Sequence, residues 1–335
     1  MNKISSKKIK YFFKKKLKDI ALPKDVIQTT LESLIEASLF GIDSHGVNLF
    51  SHYYDCLING RIKKGKNLVF KTKKSFVKCD ARNNLANYAA RKLLMKLEKK
   101  SNKYGISFGS IINSDHIGAV GIHGINSGIK NKIIIGFTNA DALAVVPDGK
   151  NIIFGTNPIS LVMNIDNEIT YIDLATTKFS MNKVKNFRRE NSNLPDSIAR
   201  DLNLNPTNDP FKATFLEPIG GHKGFALAYL VEILTSGLSN QENSLNLLPM
   251  YGTDLKKSRG VSHTFLVINP EFIGIDCLKS LKFTVRNTIQ NVSDKQADLI
   301  PGRKELLTKK KRISEGIPVS NEILKGWVDL GFDND

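Results

Sequence analysis

The sequence predicts an α/β protein. Segments with apolar residues at helical spacing alternate along the chain with short runs rich in isoleucine and valine, which are typical of buried strands. The runs at 106–112 and 133–138 are almost wholly apolar, and a glycine-rich stretch separates them. Alternation of this kind indicates strands covered by helices rather than an all-helical or all-β fold.

Two predicted helices precede the first of these strands. Residues 22–40 begin with Pro23 and Asp25, which favour a helix start, and carry apolar residues at positions 27, 31, 34, 35 and 39. We expect this helix to end near Gly41. Residues 86–99 have a second amphipathic pattern and predict a second helix.

Further strands and turns follow the two apolar runs. Residues 159–164 and 169–174 predict a hairpin with Asp166–Asn167 at its turn, and residues 264–268 predict another strand. The segment 185–215 contains the turn-forming groups LPDS and NPTNDP, so we expect it to be rich in loops.

A glycine loop introduces a long apolar helix late in the chain. Gly220–Phe225 has the sequence GGHKGF, and the residues after it are apolar nearly all round. We therefore expect this helix to be buried in a core. The remaining C-terminal residues have a charged, helical pattern.

The composition is that of an ordinary globular protein. The chain has 335 residues, 41% hydrophobic and 24% charged, enough for one large domain or two intertwined ones. No apolar run is long enough to span a membrane, and the basic N-terminus lacks the apolar core of a secretory signal. We expect a cytoplasmic protein without a membrane partner. The three cysteines are far apart and predict neither a disulfide nor a metal site.

The net charge of +17 raises the hypothesis of nucleic-acid binding. Lysines cluster at Lys7–Lys18, Lys63–Lys74 and Lys309–Arg312, but Phe70 is the only aromatic residue in the last two clusters. No nucleic-acid-binding motif is present. We therefore expect mostly solvated surface lysines, and attraction for an anionic substrate or cofactor explains the charge equally well. A basic nucleic-acid-binding protein stays a disfavoured alternative.

The sequence lacks the motifs of several enzyme classes. No G-x-G occurs, so the dinucleotide fingerprint of a Rossmann fold is missing, and neither a P-loop nor a G-x-S-x-G elbow is present. His116 and His123 are separated by a glycine-rich stretch whose spacing is poor for a shared metal ion, so we predict no metal ligand.

His45 and His116 are the main candidates for chemistry. Each lies in a glycine-flanked polar stretch at the end of a regular element. An imidazole there suits acid–base catalysis because its ordinary pKa is near neutrality. Taken alone, each histidine is better explained by a structural hydrogen bond. The GGHKG loop with Lys223 would suit an anion at a helix N-terminus, unless its glycines only allow close packing.

Six stretches in this order and spacing resemble the malate/L-lactate dehydrogenase family: GIDSHGV, SDHIGAVG, FGTNP, IDLATT, PTNDP and GGHKGFALA. The resemblance covers almost the whole chain. It implies a non-Rossmann NAD(P)-binding fold of mixed sheets with surrounding helices, NAD or NADP as cofactor, a small-molecule carboxylate substrate and a homodimer. We expect residues 1–75 and 285–335 to form a helical substrate and dimerisation part, and residues 76–284 the NAD(P)-binding α/β part.

The resemblance also implies a reaction and its catalytic residues. A hydride passes between nicotinamide C4 and the carbon next to a carboxylate. His116 is then the acid–base residue, with His45 as the alternative proton donor, and Asp141 orients or protonates the substrate. His123 is expected to be structural.

The resemblance assigns binding residues as well. The expected substrate contacts are Ser44, Tyr53 and Arg259. The expected cofactor contacts come from four stretches and are Gly155, Thr156, Asn157, Pro158, Asp173, Ala175, Thr176, Lys183, His222, Lys223 and Gly224. The sequence does not separate NAD from NADP.

Departures from the family pattern bear on the substrate. Leu49 stands where the pattern has an arginine that pairs with the substrate carboxylate, a contact that leucine cannot make. Pro147–Lys150 and Asn182–Lys183 differ from the usual P-x-G-G and G-K. We expect a 2-hydroxy and 2-oxo acid pair, or a cyclic imino acid and its amine, other than plain malate or lactate; a sugar-derived 2-oxo acid is one hypothesis. A catalytically degenerate dinucleotide-binding protein is the alternative.

Overall fold

The computed structural model describes residues 2–252, 254–274, 276–292 and 299–333. Its α-helices are Ser6–Asp19 (α1), Lys24–Leu39 (α2), Phe50–Asn59 (α3), Ala86–Tyr104 (α4), Val120–Ser127 (α5), Met181–Arg189 (α6), His222–Glu232 (α7), Cys277–Asn291 (α8), Arg303–Glu315 (α9) and Asn321–Asp329 (α10). Within these ranges, no helix has both the length and the apolar character needed to cross a membrane.

The strands of the described residues form three sheets. They are Asn2–Ile4 (β1), Val69–Lys73 (β2), Phe76–Asp80 (β3), Ile106–Ser114 (β4), Ile133–Thr138 (β5), Ala144–Val145 (β6), Ile152–Phe154 (β7), Ile159–Ile165 (β8), Glu168–Leu174 (β9), Ala199–Arg200 (β10), Pro206–Thr207 (β11), Phe215–Leu216 (β12), Val261–Ile268 (β13) and Ile317–Val319 (β14). The large sheet has seven strands in the order β2-β3-β4-β13-β5-β8-β9. A five-stranded sheet has the order β11-β10-β12-β6-β7, and β1 pairs with β14. Parallel and antiparallel pairs occur together in the large sheet, which confirms the expected mixed sheet.

The large sheet gathers the candidate motifs at one of its ends. β13 lies between β4 and β5 and is antiparallel to both, so the ends of β4 and β5 lie beside the start of β13. β8 begins and β9 ends at the same place, because Phe137 pairs with Ile159 and Ile159 pairs with Leu174. The loops that carry the quoted motifs therefore meet there.

Helices α4 and α5 pack against the large sheet, and α2 packs against both of these helices. They share a core with β4 and β13, in which Leu93, Leu97, Ile111 and Phe265 are buried. Gly109 makes the close approach of α4 possible, because a Cβ at this position would lie 2.8 Å from a methyl carbon of Leu93. The packing holds β4 rigidly up to the point where the site begins.

A second core joins the two ends of the chain. Apolar side chains of α1, α2, α3 and α10 meet there. Phe13 stacks on Phe50 with ring centroids 3.6 Å apart, and Trp327 meets Phe13 edge-on at 5.0 Å. The expected helical part requires such a core. The boundaries of this part stay a prediction. β2 lies within the expected range 1–75, but it is a strand of the large sheet and pairs with β3.

Most elements predicted from periodicity are present. α2, α4, β4, β5 and β13 overlap the segments expected to form them. The expected hairpin is β8–β9, and Asp166 and Asn167 have φ values of +50° and +67°, as a tight two-residue turn requires. Helices α1 and α3 were not predicted, and the loop-rich segment 185–215 begins inside α6.

The expectation that the helix after GGHKGF is buried all round is wrong for this chain. α7 buries one face through Gly224, Ala228, Val231 and Glu232. Its other face and the turn after it leave apolar side chains between 39% and 61% exposed, at Leu227, Tyr229, Leu230, Ile233 and Leu238. The apolar pattern therefore reflects a surface that no described part of the chain covers.

Candidate active site

Two cavities adjoin at the end of the large sheet where the motifs meet. Cavity A, of about 330 Å³, is bounded by the loops after β4 and β5, the start of α6 and Pro249–Tyr251. Cavity B, of about 370 Å³, is bounded by the start of α5 and the stretch after β9. They form one continuous cleft, because they share the lining residues His45, Gly118, Thr156, Pro158 and Ser180.

His116 lines cavity A just after β4. Its Nδ1 lies 2.9 Å from the Tyr53 hydroxyl and accepts from the Gly118 amide at 3.3 Å. The Tyr53 hydroxyl also reaches the His116 carbonyl oxygen at 3.2 Å. It can therefore donate to Nδ1, or accept from Nδ1 while donating to the carbonyl, so both protonation states of the ring find a partner. No described protein group bonds Nε2, which is left for a ligand.

His45 lies in a short 3₁₀ turn, Asp43–His45, that follows α2. Its Nδ1 lies 2.8 Å from Ser44 Oγ, and its ring is stacked near that of His116 with centroids 5.5 Å apart. Arg312 of α9 fixes the turn by donating to both carboxylate oxygens of Asp43, at 2.5 and 2.9 Å. The two predicted acid–base residues are thus neighbours in the fold.

Ser44 and Tyr53 lie beside the two histidines, and the substrate contacts expected of them stay a prediction. Tyr53 is 3% exposed and lies behind His116, where its hydroxyl is occupied by that histidine. Ser44 lines cavity B but not cavity A, and its hydroxyl faces His45. In this structure both residues orient the histidines, because their polar atoms point at the rings.

Arg259 lies just before β13 and is buried. Its Nη1 is 3.3 Å from Asp115 Oδ1, and its Nη2 pairs with the Asp141 carboxylate. Its Nε donates to the Leu248 carbonyl at 2.7 Å. Asp115 also accepts from the His116 amide at 2.6 Å. One carboxylate, absent from the predicted set, therefore fixes both Arg259 and the acid–base histidine.

The surroundings of the histidines favour their neutral forms. Burial lowers the pKa of His116 well below its usual value, and charges on His45 and Arg259 lower it further. Burial lowers the pKa of His45 to about 4. His263, whose Nε2 lies 3.1 Å from the Asp115 carbonyl oxygen, has its pKa lowered to about 3 by burial. His45 and His116, which line the cleft, are therefore uncharged imidazoles at neutral pH.

Asn182 ties the two walls of the cleft together. It lines cavity A at the start of α6, and its Nδ2 donates to the Ser44 carbonyl at 2.9 Å. The sequence marked this position only as a departure from the family pattern. The structure shows its effect: an amide side chain there joins α6 to the turn that carries His45.

The Asp141 loop is held from behind by α7. Asn157 accepts from the Ala140 amide at 3.1 Å and donates to Glu232 at 2.9 Å. Glu232 also accepts from Ser236 and Ser244. Sequence reasoning missed Glu232, although a lone acid within an apolar helix is an informative signal, since a buried carboxylate needs several donors.

Five of the residues expected to bind the cofactor line the cleft, namely Thr156, Pro158, Asp173, Ala175 and Lys183. Asn157 is fully buried, with its amide spent on the bonds just described. Gly155 packs against Ala140, where a Cβ would lie 2.4 Å from the carbonyl oxygen. Thr176 is buried and donates to the Thr156 carbonyl at 2.9 Å. These three residues therefore do not line the cleft, but support its wall through packing and internal hydrogen bonds.

The GGHKG loop lies outside both cavities. His222 and Lys223 are exposed at the start of α7. Gly224 allows α7 to approach the chain, because a Cβ there would lie 2.4 Å from the Ile219 carbonyl oxygen, which favours the packing explanation. Contact of these residues with the cofactor stays a prediction. His123 is buried in α5 with Nε2 2.8 Å from the Ile117 carbonyl oxygen, as a structural role requires.

The residues of cavity B fit a dinucleotide. Lys178 and Lys183 supply positive charge for a pyrophosphate. Asp173, whose carboxylate accepts from the Gly121 amide at 2.9 Å, supplies an acceptor for a ribose hydroxyl. Gly118 lines both cavities at their junction, and its φ of +78° is a backbone conformation that favours glycine.

The thiols and metal-binding side chains suggest no other chemistry. Among the residues that the structure describes, no group of three or more His, Cys, Asp or Glu side chains could hold a metal ion. Cys56, Cys79 and Cys277 are free. Burial raises the pKa of Cys56 and of Cys79 to about 12, so neither is a reactive thiolate at neutral pH.

Comparison with known families identifies the class of the protein. The family model described as malate/L-lactate dehydrogenase matches residues 4–326. The chain belongs to the malate/L-lactate dehydrogenase family. One relative in this family, malate/(S)-sulfolactate dehydrogenase of Methanothermus fervidus, is 28% identical over 315 residues, covering 92% of this chain and 91% of that protein. Ureidoglycolate dehydrogenase (NAD(+)) of Escherichia coli is 28% identical over 333 residues, covering 96% and 93%.

A solved structure of the malate/L-lactate dehydrogenase family confirms the fold. Sulfolactate dehydrogenase from Methanocaldococcus jannaschii superposes with a TM-score of 0.88 at 25% identity, covering 98% of this chain and 96% of that one. Relatives named for their cofactor use NAD(+) or NADP(+), as expected for the family. The protein is thus a member of a family of NAD(P)-dependent 2-hydroxy acid dehydrogenases.

Proposed function

We propose that the protein is an NAD(P)-dependent 2-oxo acid reductase that also runs in reverse as a 2-hydroxy acid dehydrogenase. The observation that carries the proposal is the continuity of the two cavities: His116, Asp141 and Arg259 line cavity A, and Lys183 lines cavity B. A substrate in cavity A would lie between a proton carrier and the nicotinamide end of the cofactor. A cyclic imino acid would require the same groups.

His116 carries the proton in this proposal. In oxidation the neutral ring, in the tautomer whose Nδ1–H donates to the Tyr53 hydroxyl, accepts the proton of the substrate hydroxyl at Nε2, and in reduction the protonated ring returns it. Nδ1 of the charged ring donates to Tyr53, whose hydroxyl donates in turn to the His116 carbonyl oxygen. The nicotinamide, when bound, supplies or accepts the hydride. His45 is the alternative proton donor because it lines both cavities.

Asp141 and Arg259 orient the substrate. Arg259 is fixed by Asp115 and in turn fixes the Asp141 carboxylate at the wall of cavity A. We propose that Asp141 accepts from the substrate hydroxyl or amine and that Arg259 donates to the substrate carboxylate. Groups held in advance reduce the reorganisation that the reaction requires.

The proposed activity is tested with the purified protein. Titration with NADH and with NADPH, followed through protein fluorescence, should show saturable binding of at least one of them. A panel of 2-oxo and cyclic imino acids should then cause loss of reduced-nicotinamide absorbance. Binding without turnover of any panel member would support the degenerate alternative, and binding of neither nucleotide would contradict the proposal. Steep salt-dependent retention on DNA would support the nucleic-acid alternative.

We propose further that the exposed face of α7 is the homodimer interface. Leu227 and Leu230 on this helix, and Ile233 directly after it, are 39–46% exposed. An apolar cavity of about 380 Å³, lined by Phe154, Phe225 and other residues, lies beside it. A continuous apolar surface of this kind is typical of an interface between subunits.

Leu230→Arg is expected to convert the protein to monomers, because a charge on this face would be buried without a partner in the dimer. Sedimentation velocity measures the mass directly. Leu202→Arg is the matched control, since Leu202 is 75% exposed in the loop after β10, and this variant should keep the wild-type mass. A monomeric wild-type protein would contradict the proposed interface.

A further inference from the structure

Cavity A has little positive charge to offer an anionic substrate. Arg259 is the one lysine or arginine on its wall among the described residues, and it already faces two carboxylates, Asp115 and Asp141. Leu49 adds no charge and is buried in the core of the helices from the two chain ends. A carboxylate that enters this cavity therefore needs a further cation, because an unpaired charge is costly to bury.

Lys185 is a cation beside this wall. It lies four residues after Met181 in α6, and residues four apart share one face of a helix. Met181 lines cavity A, so Lys185 continues the same wall. Its ammonium lies 3.5 Å from the ring centroid of Tyr251, which also lines cavity A. The stem of a lysine is flexible, so its ammonium can occupy more than one position beside this wall.

The neighbours of Lys185 do not neutralise it. Arg188 donates to the carbonyls of Pro210 and Ala213, and Arg189 pairs with Glu322 at 2.7 Å. No carboxylate oxygen of the described residues lies within 4.0 Å of Lys185 Nζ. Burial lowers the pKa of Lys185, the charges of Arg188 and Arg189 lower it further, and the charge of Glu322 offsets part of this shift. A bound carboxylate would compensate both effects.

We propose that Lys185 binds the carboxylate that all 2-oxo acids share, and that the cleft is selective for monoanionic 2-oxo acids with an uncharged side chain. The inference rests on the proposed reductase function. Part of the wall supports it: Leu143, Phe215, Pro249 and Met250 provide apolar surface, and among the described lining residues Arg259 is the one lysine or arginine.

The test is steady-state reduction of pyruvate, 2-oxobutyrate, oxaloacetate and 2-oxoglutarate by the wild type and by Lys185→Met. We expect the wild type to prefer the two monocarboxylates, and efficient turnover of pyruvate would make the earlier expectation of a substrate other than lactate wrong. Lys185→Met should raise KM for them about tenfold or more with kcat changed by less than about threefold, as loss of one charge-assisted hydrogen bond implies. Lys185→Arg should restore most of the affinity. An unchanged KM in Lys185→Met, a rise confined to the dicarboxylates, or a wild-type preference for dicarboxylates would overturn the proposal.

Lys183→Met is the matched comparison on the same helix. The Lys183 ammonium lies 3.8 Å from the ring centroid of Phe179, and the residue lines cavity B. This variant should raise the KM for NADH or NADPH and leave that for the 2-oxo acid near the wild-type value. A rise in the 2-oxo acid KM equal to that of Lys185→Met would overturn the specific role of Lys185, since general loss of surface charge would then suffice.

Calorimetric binding of oxamate, an unreactive analogue of a 2-oxo acid, separates this inference from the proposed reaction. With the nicotinamide cofactor present, the wild type should bind oxamate and Lys185→Met should bind it about tenfold or more weakly. If the wild type binds oxamate in this Lys185-dependent manner but reduces no 2-oxo acid, only the proposed reaction fails. If Lys185→Met turns over and binds like the wild type, only the inference fails. If the wild type neither binds oxamate nor reduces any 2-oxo acid, both the inference and the proposed reaction fail.

Discussion

Replacing His116 with asparagine is expected to lower kcat at least about a hundredfold in both directions, while the dissociation constants for NADH and NADPH stay near wild type. An asparagine can still bond the Tyr53 hydroxyl and the Gly118 amide, but it has no group that exchanges a proton with the substrate. Steady-state kinetics and fluorescence titration measure the two quantities. His45→Asn is the comparison: a larger loss there than in His116→Asn would reverse the assigned roles.

The pH dependence gives the His116 assignment a second readout. Because burial holds the pKa of His116 well below its usual value, the ring is neutral at neutral pH. Oxidation needs the neutral ring, so its kcat/KM should be flat from about pH 6.5 upward. Reduction needs the protonated ring, so its kcat/KM should fall as pH rises, up to about tenfold per pH unit. A reduction rate that rises with pH would exclude His116 as the donor.

Replacing Arg259 with methionine is expected to destabilise the protein by about 3–5 kcal/mol and to remove activity, because two carboxylates would lose their common partner. The Asp115 side chain is only 4% exposed and that of Asp141 20%, so water cannot replace the guanidinium fully. Chemical denaturation followed by far-UV circular dichroism measures the loss. An unchanged midpoint would mean that the two aspartates do not depend on Arg259.

A combined variant distinguishes charge from packing. Arg259→Met together with Asp115→Asn and Asp141→Asn removes the guanidinium and both negative charges. It should recover part of the lost stability, because no uncompensated charge is left, yet remain inactive. If the triple variant is no more stable than Arg259→Met, the loss comes from packing around the guanidinium stem rather than from the carboxylates.

The parts of the fold that could be predicted are those with a clear period or turn signal. The β8–β9 hairpin is one example, since Asp166–Asn167 suits the turn and apolar runs flank it. α1 was not predicted, although its buried residues Ile9, Phe12, Phe13 and Leu17 have helical spacing. The many lysines between them make the segment strongly basic and mask the apolar face. The spacing of apolar residues indicates which face of a helix or strand is apolar. It cannot indicate whether another part of the protein covers that face, as α7 illustrates.

For the candidate site, the sequence predicted which residues come together better than it predicted how their side chains are arranged. His45, His116, Asp141 and Arg259 do meet, although long stretches of chain separate them. A motif cannot reveal which of its side chains point inward, so Asn157 was assigned to the cofactor although its amide is turned toward Glu232. Asp115 was visible next to His116, but its bond to Arg259 depends on how β4 and β13 pair.

The position of β13 in the large sheet has a consequence for how the protein is made. This strand fills the gap between β4 and β5, yet it is synthesised only after β6 to β12, α6 and α7. Until then a nascent chain carries two unpaired strand edges, and Asp115 and Asp141 lack Arg259. Pairing over such long sequence separations is slow and leaves apolar edges open to aggregation. The chemistry of the cleft can therefore arise only late in folding, when the last strand of the sheet is in place.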